Sequence, residues 1–496
     1  MRRERLLYSG GIWHSRWFVC LLLVVLAAGA ILAGCYTNPA TGKEQLSLIP
    51  QSQEVQMGRE AAKEVDQTLG LYQDTVWQNY IQRLGMKLAA VSERPDLPWT
   101  FKIVDDPAVN AFALPGGFIY VTRGMLYYAE NEAELAGVVG HEIGHVTARH
   151  SVNQLSKQQL AQLGLMAGTM IEPDIQKYSN LINTGLGLLF LKFSRDDEKQ
   201  ADDLGLRYMA KVGYDPRQMD DIFQMLERVS QTSGGGRVPE WLSTHPNPEN
   251  RYQRIQDEIK SMEATYHGTT INRKEYLRRL NGIVYGNNPR EGFFEGSVFY
   301  HPDMKFVFTF PSNWKTLNQK QGVIAGSQEG DAILQLTLSG SSNPDAASRA
   351  FFGQQGISGG PAGRQTVNGL SGVSGNFTAE TQQGMLQGKA VFVAYEGKVF
   401  EIVGYSTQEK WPSYDGVINN SIFSFAPLTD QAKLSVQPMR VEIVTTGRSM
   451  TFDQFARTFP SPVSLQTLAI INQVSENAQI ESGTEVKRIV GKPVGD

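Results

Sequence analysis

The chain has 496 residues, a formal net charge of −4, 41% hydrophobic content and 10% aromatics. That composition supports folded material in about three domains and excludes bulk disorder. A mildly acidic chain with no basic stripe also excludes a nucleic-acid partner.

At the start of the chain, Arg2, Arg3 and Arg5 precede an apolar stretch from Trp17 to Ile31, which Leu32-Ala33-Gly34-Cys35 closes with small residues. This reads as a signal peptide over residues 1–34 ending in what resembles a bacterial lipobox, so cleavage before Cys35 and lipidation of its thiol are implied. The competing reading is an uncleaved membrane anchor. Cys20 lies inside the removed segment, which leaves Cys35 as the one cysteine of the mature chain and excludes a structural disulfide. Tyr36 stands where Asp would signal inner-membrane retention. The expected location is therefore the outer membrane, facing the periplasm, with a lipid anchor as the membrane contact.

Residues 35–52 contain Pro, Gly and Asn and read as a tether. From Glu54 to Val91 the apolar spacing is helical, with Trp77, Ile81 and Leu84 on one face. Two strand signals follow, Phe101–Val104 and Phe118–Val121, on either side of a loop. An extended peptide can pair with an exposed strand through backbone hydrogen bonds, which makes Phe118 to Thr122 a candidate substrate-aligning edge. The alternative is a packed central strand with no ligand.

His141-Glu142-Ile143-Gly144-His145 carries two metal ligands and a general base at a spacing that works on a helix. Residues i and i+4 lie about 5 to 6 Å apart on one face, so both imidazoles reach one metal while Glu142 meets the water it holds. Asn131 with Glu134 reads as a capping box that starts this helix. Gly137, Gly140 and Gly144 form a stripe without side chains that lets a neighbouring element approach closely. A catalytic zinc takes three protein ligands, so a third donor is required. His150, nine residues from His141, falls on the opposite face of a continuous helix. Glu198 and Asp202 share a face ahead of a second helical pattern, so one can ligate zinc while the other accepts a hydrogen bond from a ligand histidine.

The ordered set Asn110-Ala111-Phe112-Ala113-Leu114-Pro115-Gly116-Gly117-Phe118-Ile119-Tyr120-Val121-Thr122-Arg123-Gly124, Asn131 to Leu135, the HExxH stretch, and Ser194-Arg195 with Glu198 and Ala201-Asp202 resembles the HtpX-like and CAAX-prenyl-protease-like zinc metallopeptidases. These are gluzincins of peptidase family M48. The resemblance implies one Zn2+ held by His141, His145 and Glu198, with Glu142 as catalytic base and Asp202 supporting a ligand. It also implies that Asn110, Ala111, Phe118 and Tyr120 align a protein or peptide substrate. The later motif Thr244-His245-Pro246-Asn247-Pro248-Glu249-Asn250-Arg251 offers His245 as an oxyanion donor, or as a fourth ligand that would make the site latent. The implied fold is α+β, with a mainly helical peptidase domain at 53–262.

Between the metal motifs, Leu160 to Ile171 and Leu181 to Phe193 are apolar but too short to span a membrane, and buried core packing is the expectation. Residues 263–292 read as a linker. Residues 293–428 carry repeated strand signals, including a hairpin about Glu396-Gly397-Lys398, and suggest an α+β sheet domain with a slight resemblance to PsbP/Mog1-like folds. His301 reads there as structural. After a linker at 429–440, residues 441–496 resemble a strand-helix-helix-strand LysM-like module, which implies possible peptidoglycan binding, although Gly447-Arg448-Ser449 replaces the usual entry. A different functional class, a periplasmic assembly adaptor with structural zinc, is disfavoured by Glu142, because a structural site needs no base.

Overall fold

The computed structural model describes residues 35–40, 42, 44–162, 185–232, 240–246, 250–262, 268–381 and 384–495. The expected signal peptide, most of the apolar segment Leu160 to Ile171 and the first four residues of the segment Leu181 to Phe193 lie outside the described residues.

The expected tether is a structured strut. Cys35–Thr37 (β1) and Glu44–Leu46 (β2) pair as an antiparallel hairpin. Asn38 donates to the Ala148 carbonyl at 3.3 Å and Tyr36 hydrogen-bonds Asn153, so the hairpin lies against the peptidase half. The helical stretch from Glu54 to Val91 is two helices, Gln51–Thr68 (α1) and Thr75–Ala89 (α2). Gly70, at φ +72°, takes the left-handed turn between them, and Asp74 caps α2 by accepting from the Val76 and Trp77 amides. The buried face of α2 carries Trp77, Ile81, Leu84 and Leu88, as the spacing predicts.

Thr100–Val104 (β3), Ala111–Leu114 (β4) and Phe118–Thr122 (β5) form a three-stranded sheet in the order β3-β5-β4. The strand expected to be an edge, β5, is central: parallel to β3 on one side, antiparallel to β4 on the other, and buried throughout. Phe118 and Tyr120 are therefore core residues, and the edges are β3 and β4, of which the sequence reading placed β4 in a loop. Arg123–Tyr128 (α3), Glu132–Thr147 (α4), His150–Gln162 (α5), Arg195–Lys211 (α6), Arg217–Thr232 (α7), Glu240–Thr244 (α8) and Arg251–Met262 (α9) complete the peptidase unit.

Its core extends past the expected boundary. Within 263–292, Arg273–Leu280 (α10) buries Tyr276, Leu277 and Leu280 in the same cluster as α2 and α4, so that segment is part of the core and not a spacer. Val441, Ile470, Ile471 and Ile489 of the last unit join the cluster too.

The middle unit holds a seven-stranded antiparallel sheet ordered 357–367, 370–381, 384–395, 398–407, 332–338, 322–326, 315–319, beside a four-stranded sheet. Helices Pro344–Phe352 and Trp411–Ile422 bury separate clusters on it. Glu396 and Gly397 both have positive φ, as the tight turn of the expected hairpin demands. His301 Nδ1 accepts from the Met304 amide at 3.2 Å, a structural role.

The last unit runs strand Arg440–Thr445, helices Phe452–Thr458 and Leu465–Ile471, and strand Glu485–Val490, its outer strands paired antiparallel. Lys487, fully buried, donates to the carbonyls of Tyr127 and Ala129 at 3.1 and 2.9 Å and pairs with Glu130 at 2.9 Å. Two of its ammonium protons thus go to backbone carbonyls of the turn that precedes α4. Lys487→Met leaves those buried carbonyls without their donor and Glu130 with Arg273 as its remaining cation, a loss of about 1–3 kcal/mol. Urea unfolding followed at the peptidase tryptophans should report it; an unchanged midpoint would mean that the last unit folds apart from the peptidase half.

Candidate active site and metal centre

Helix α4 starts at Asn131, whose side chain accepts from the Glu134 amide at 2.9 Å. The reciprocal bond is displaced by one residue, since Glu134 accepts from the Glu130 amide. Beyond this cap every residue from Ala133 to Thr147 is buried. The glycines do what the sequence suggests. A Cβ on Gly140 would sit 3.2 Å from Gly205 Cα, and one on Gly144 would sit 2.9 Å from the Ala201 carbonyl, so α6 lies on α4 at backbone distance. Helix α6 starts in a full capping box between Ser194 and Asp197, which places Glu198 and Asp202 one turn apart facing α4.

The sequence-predicted ligands therefore meet. His141 Nε2 and His145 Nε2 are 3.0 Å apart, and Glu198 oxygens lie 3.5 Å from each. Asp202 does not enter this cluster. Its Oδ1 accepts from His141 Nδ1 at 2.9 Å, while Arg251 donates to both of its oxygens at 2.6 and 3.0 Å. Burial pushes the Asp202 carboxyl up, but Arg251 and His141 outweigh it and hold it down at about 2. An ionised carboxylate only accepts, so the proton of His141 sits on Nδ1 and its Nε2 presents a lone pair.

His245, at the end of α8, completes the cluster. Its Nδ1 is 3.0 Å from Glu198 Oε1 and 3.3 Å from His141 Nε2. One atom from each of His141, His145, Glu198 and His245 falls within 4.8 Å of the others. Glu198 Oε2 is buried with no hydrogen-bond donor, and burial pushes that carboxyl up to about 8. Unprotonated nitrogens facing a carboxylate in a dry site lack only a cation, so the residues fit zinc.

Glu142 lies beside the cluster, its Oε1 3.4 Å from Trp241 Nε1 and 3.6 Å from His245 Nε2. Burial raises its carboxyl to about 7, against the pull of His245, Trp241 and the Ala113 backbone. Ala113 is on the edge strand β4, so the strand and the base are tied together. Asn110 and Ala111 begin that strand; the Asn110 amide donates to Thr122 Oγ1 at 3.0 Å.

Two placements correct the sequence reading. His150 is not on a far face: α4 ends at Thr147, Arg149 adopts φ +59°, and the chain reverses so that His150 Nδ1 lies 2.9 Å from His145 Nδ1. Trp241 and Phe193 were not singled out. Trp241 stacks on His245 with centroids 4.8 Å apart and Phe193 covers His145 at 4.0 Å. Their only sequence signal is nearness to the motif histidine and to the α6 cap.

The pattern of Peptidase family M48 matches residues 76–259. A mitochondrial metalloendopeptidase OMA1 from Schizosaccharomyces pombe is 31% identical over 244 residues, covering 46% of this chain and 70% of that protein. The chain belongs to peptidase family M48. The beta-barrel assembly-enhancing protease of Escherichia coli K12 is 28% identical over 254 residues, 49% of this chain and 51% of that protein. This M48 chain thus spans about half the length of the bacterial relatives it matches. Among solved structures, cyanobacterial PsbP from Synechocystis aligns at a TM-score of 0.22 and 11% identity, over 27% of this chain and 94% of that one, too slight to assign a fold.

Metal analysis of the purified protein should return about one zinc per chain. His141→Ala, His145→Ala and Glu198→Ala should each lose it; full retention in Glu198→Ala would remove that residue from the ligand set.

Proposed function

We propose that this chain is a zinc-dependent metalloendopeptidase of the bacterial envelope, held to the membrane by lipid on Cys35. The observation that carries the reading is the convergence of His141, His145 and Glu198 next to a carboxylate whose Oε2 is buried and has no hydrogen-bond donor among the described residues. Bound zinc supplies Lewis acidity for the scissile carbonyl and lowers the pKa of a water to about 7. The remaining work belongs to side chains and backbone. Glu142 takes the water proton and returns it to the departing amine; Trp241 and Ala113 steady the carboxylate. The β4 edge offers backbone donors and acceptors to an extended peptide, with Asn110 and Ala111 at the entry of that strand. Unfolded or misassembled envelope proteins are the substrates we favour, since such segments present a free backbone and the matched relatives include proteases named for beta-barrel assembly.

His245 stands with the ligands and not above them, which supports the latent reading: its Nδ1 is nearer Glu198 and His141 than an oxyanion donor needs to be. Swung outward, the same imidazole could serve as donor. The last unit we assign as a brace for α4, because Lys487 and the residues packed with it face the peptidase half.

Glu142→Gln should keep its zinc and lose hydrolysis of an unfolded protein by several orders of magnitude, read by fragment release on gels. Proteolysis near the wild-type rate would move catalysis elsewhere. His245→Ala should raise hydrolysis if the ring closes the site, whereas a fall of about 10² to 10³ would make it the oxyanion donor. Labelling cells with a palmitate analogue should mark the wild type and spare Cys35→Ala; label surviving that substitution refutes the anchor.

A further inference from the structure

The two histidines of the HExxH stretch are held in different ways. His141 leans on the carboxylate of Asp202; His145 leans on another imidazole. His145 Nδ1 and His150 Nδ1 are 2.9 Å apart and both rings are buried. At that distance one proton lies between them. The other nitrogen of His150, Nε2, is 2.9 Å from Gln200 Oε1 and 3.5 Å from Asp197 Oδ1. Both of those oxygens only accept, so His150 carries its proton on Nε2. A histidine that offers its Nε2 lone pair to a metal keeps its ring proton on Nδ1. A neutral imidazole has a single N–H, so His150 Nδ1 is the acceptor and the shared proton belongs to His145 Nδ1. The lone pair of His145 then falls on Nε2, the atom that faces His141 and Glu198.

We propose that His150, set by Gln200, is a positioning residue that fixes the tautomer and ring orientation of the metal ligand His145. The inference rests on the metalloenzyme reading above and extends it to a residue outside the ligand set.

The chain spends considerable structure on bringing His150 back. Had α4 continued, residue 150 would point away from residue 145. Arg149 breaks the helix with a left-handed backbone that long side chains seldom adopt. It is gripped on three sides: its Nε donates to Glu54 at 2.9 Å, its guanidinium donates to the Ile49 carbonyl at 2.7 Å, and the Tyr36 ring stacks on it with its centroid 4.3 Å away. Arg94 donates to both oxygens of Glu54, at 2.8 and 3.1 Å, and to the Val146 carbonyl at 2.9 Å, so the grip and the end of α4 are one assembly. The β1–β2 strut therefore acts on the metal ligand through Tyr36, Arg149 and His150.

Removing an outer partner of a metal-bound histidine typically costs about 10- to 100-fold in metal affinity. His150→Leu keeps apolar bulk and deletes the acceptor; His150→Asn places an amide oxygen near where Nδ1 stands. On the full chain in detergent, zinc affinity by chelator competition should fall about 10- to 100-fold in His150→Leu and recover to within about threefold of wild type in His150→Asn, with the visible bands of the cobalt-loaded protein displaced in the first and restored in the second. Zinc affinity of His150→Leu within about twofold of wild type, with unchanged cobalt bands, overturns the proposal. If His150→Leu fails to fold, histidine 15N spectra of the wild type decide: a proton on His150 Nε2 with a bare Nδ1 supports the relay, and a proton on His150 Nδ1 ends it. A wild type that takes up no zinc overturns the metalloenzyme reading instead, and the 15N spectra of that metal-free protein still decide this one.

Discussion

The site depends first on two helices meeting at backbone distance. Gly140 and Gly144 on α4 face Gly205 and Ala201 on α6, and a Cβ at Gly205 would stand 2.9 Å from the His141 amide nitrogen. Real side chains do not tolerate that approach, so a methyl at any of these glycines must part the helices. Glu198 and Asp202 project from α6 one turn apart on the α4 side. Parting the helices would therefore separate the third ligand from the first two, and the carboxylate from the histidine it orients, in a single movement. Glycine is a poor helix former, and the tolerated weakness inside α4 is offset by burial of nearly the whole helix.

Around that contact the charges are arranged in shells of alternating sign. Four donors crowd the centre, with Arg251 4.0 Å from the Glu198 carboxylate. Asp202 stands behind His141, and behind Asp202 stand Arg251 and Arg254, which donate to it while Arg254 also pairs with Asp203. The Arg251 guanidinium is buried over the Phe223 ring, 3.7 Å from its centroid, a cation–π contact that holds its charge beside Asp202. Burying the carboxyls of Glu142 and Glu198 in a dry interior is costly, and a bound cation offsets part of that cost.

The chemistry was legible in the sequence because its spacing is local. An i, i+4 relation on a helix survives any tertiary context, so His141, Glu142 and His145 could be placed without knowing what packs on them; the same rule put Glu198 and Asp202 on one face, and the family resemblance chose Glu198 as the ligand. What failed to show was what depends on long-range contacts. Gln51 to Thr68 and Thr75 to Ala89 read as one helical stretch because Gly70 is a single residue in a continuous apolar pattern. Strand β5 read as an edge because β4 is four residues long and gives little alternation. His150 was assigned to a far face by extending α4 past Arg149, whose reversal is imposed by Glu54, Ile49 and Tyr36, about a hundred residues earlier. The packing of residues 263–292 and of Lys487 against the peptidase half failed to show for the same reason, since α10 and Lys487 are polar or short in sequence and become core only against α3 and α4.

The frame and the cover of the site differ in how firmly they are held. His141, Glu142 and Glu198 are wholly shielded from solvent, so a substrate enters only if the cover moves. Among the described residues, Phe193 lies over His145 and Trp241 with His245 beside Glu142. Two of the bonds here are long, Phe193 N to the Thr244 carbonyl at 3.3 Å and Trp241 Nε1 to Glu142 at 3.4 Å, while His245 holds to Glu198 at 3.0 Å. Each such bond contributes on the order of 1 kcal/mol. The frame beneath is fixed by short charge-assisted contacts, such as Arg251 to Asp202 at 2.6 Å, and by the glycine contact of α4 with α6. The frame that sets His141 against Asp202 therefore does not depend on the long contacts of Phe193 and Trp241.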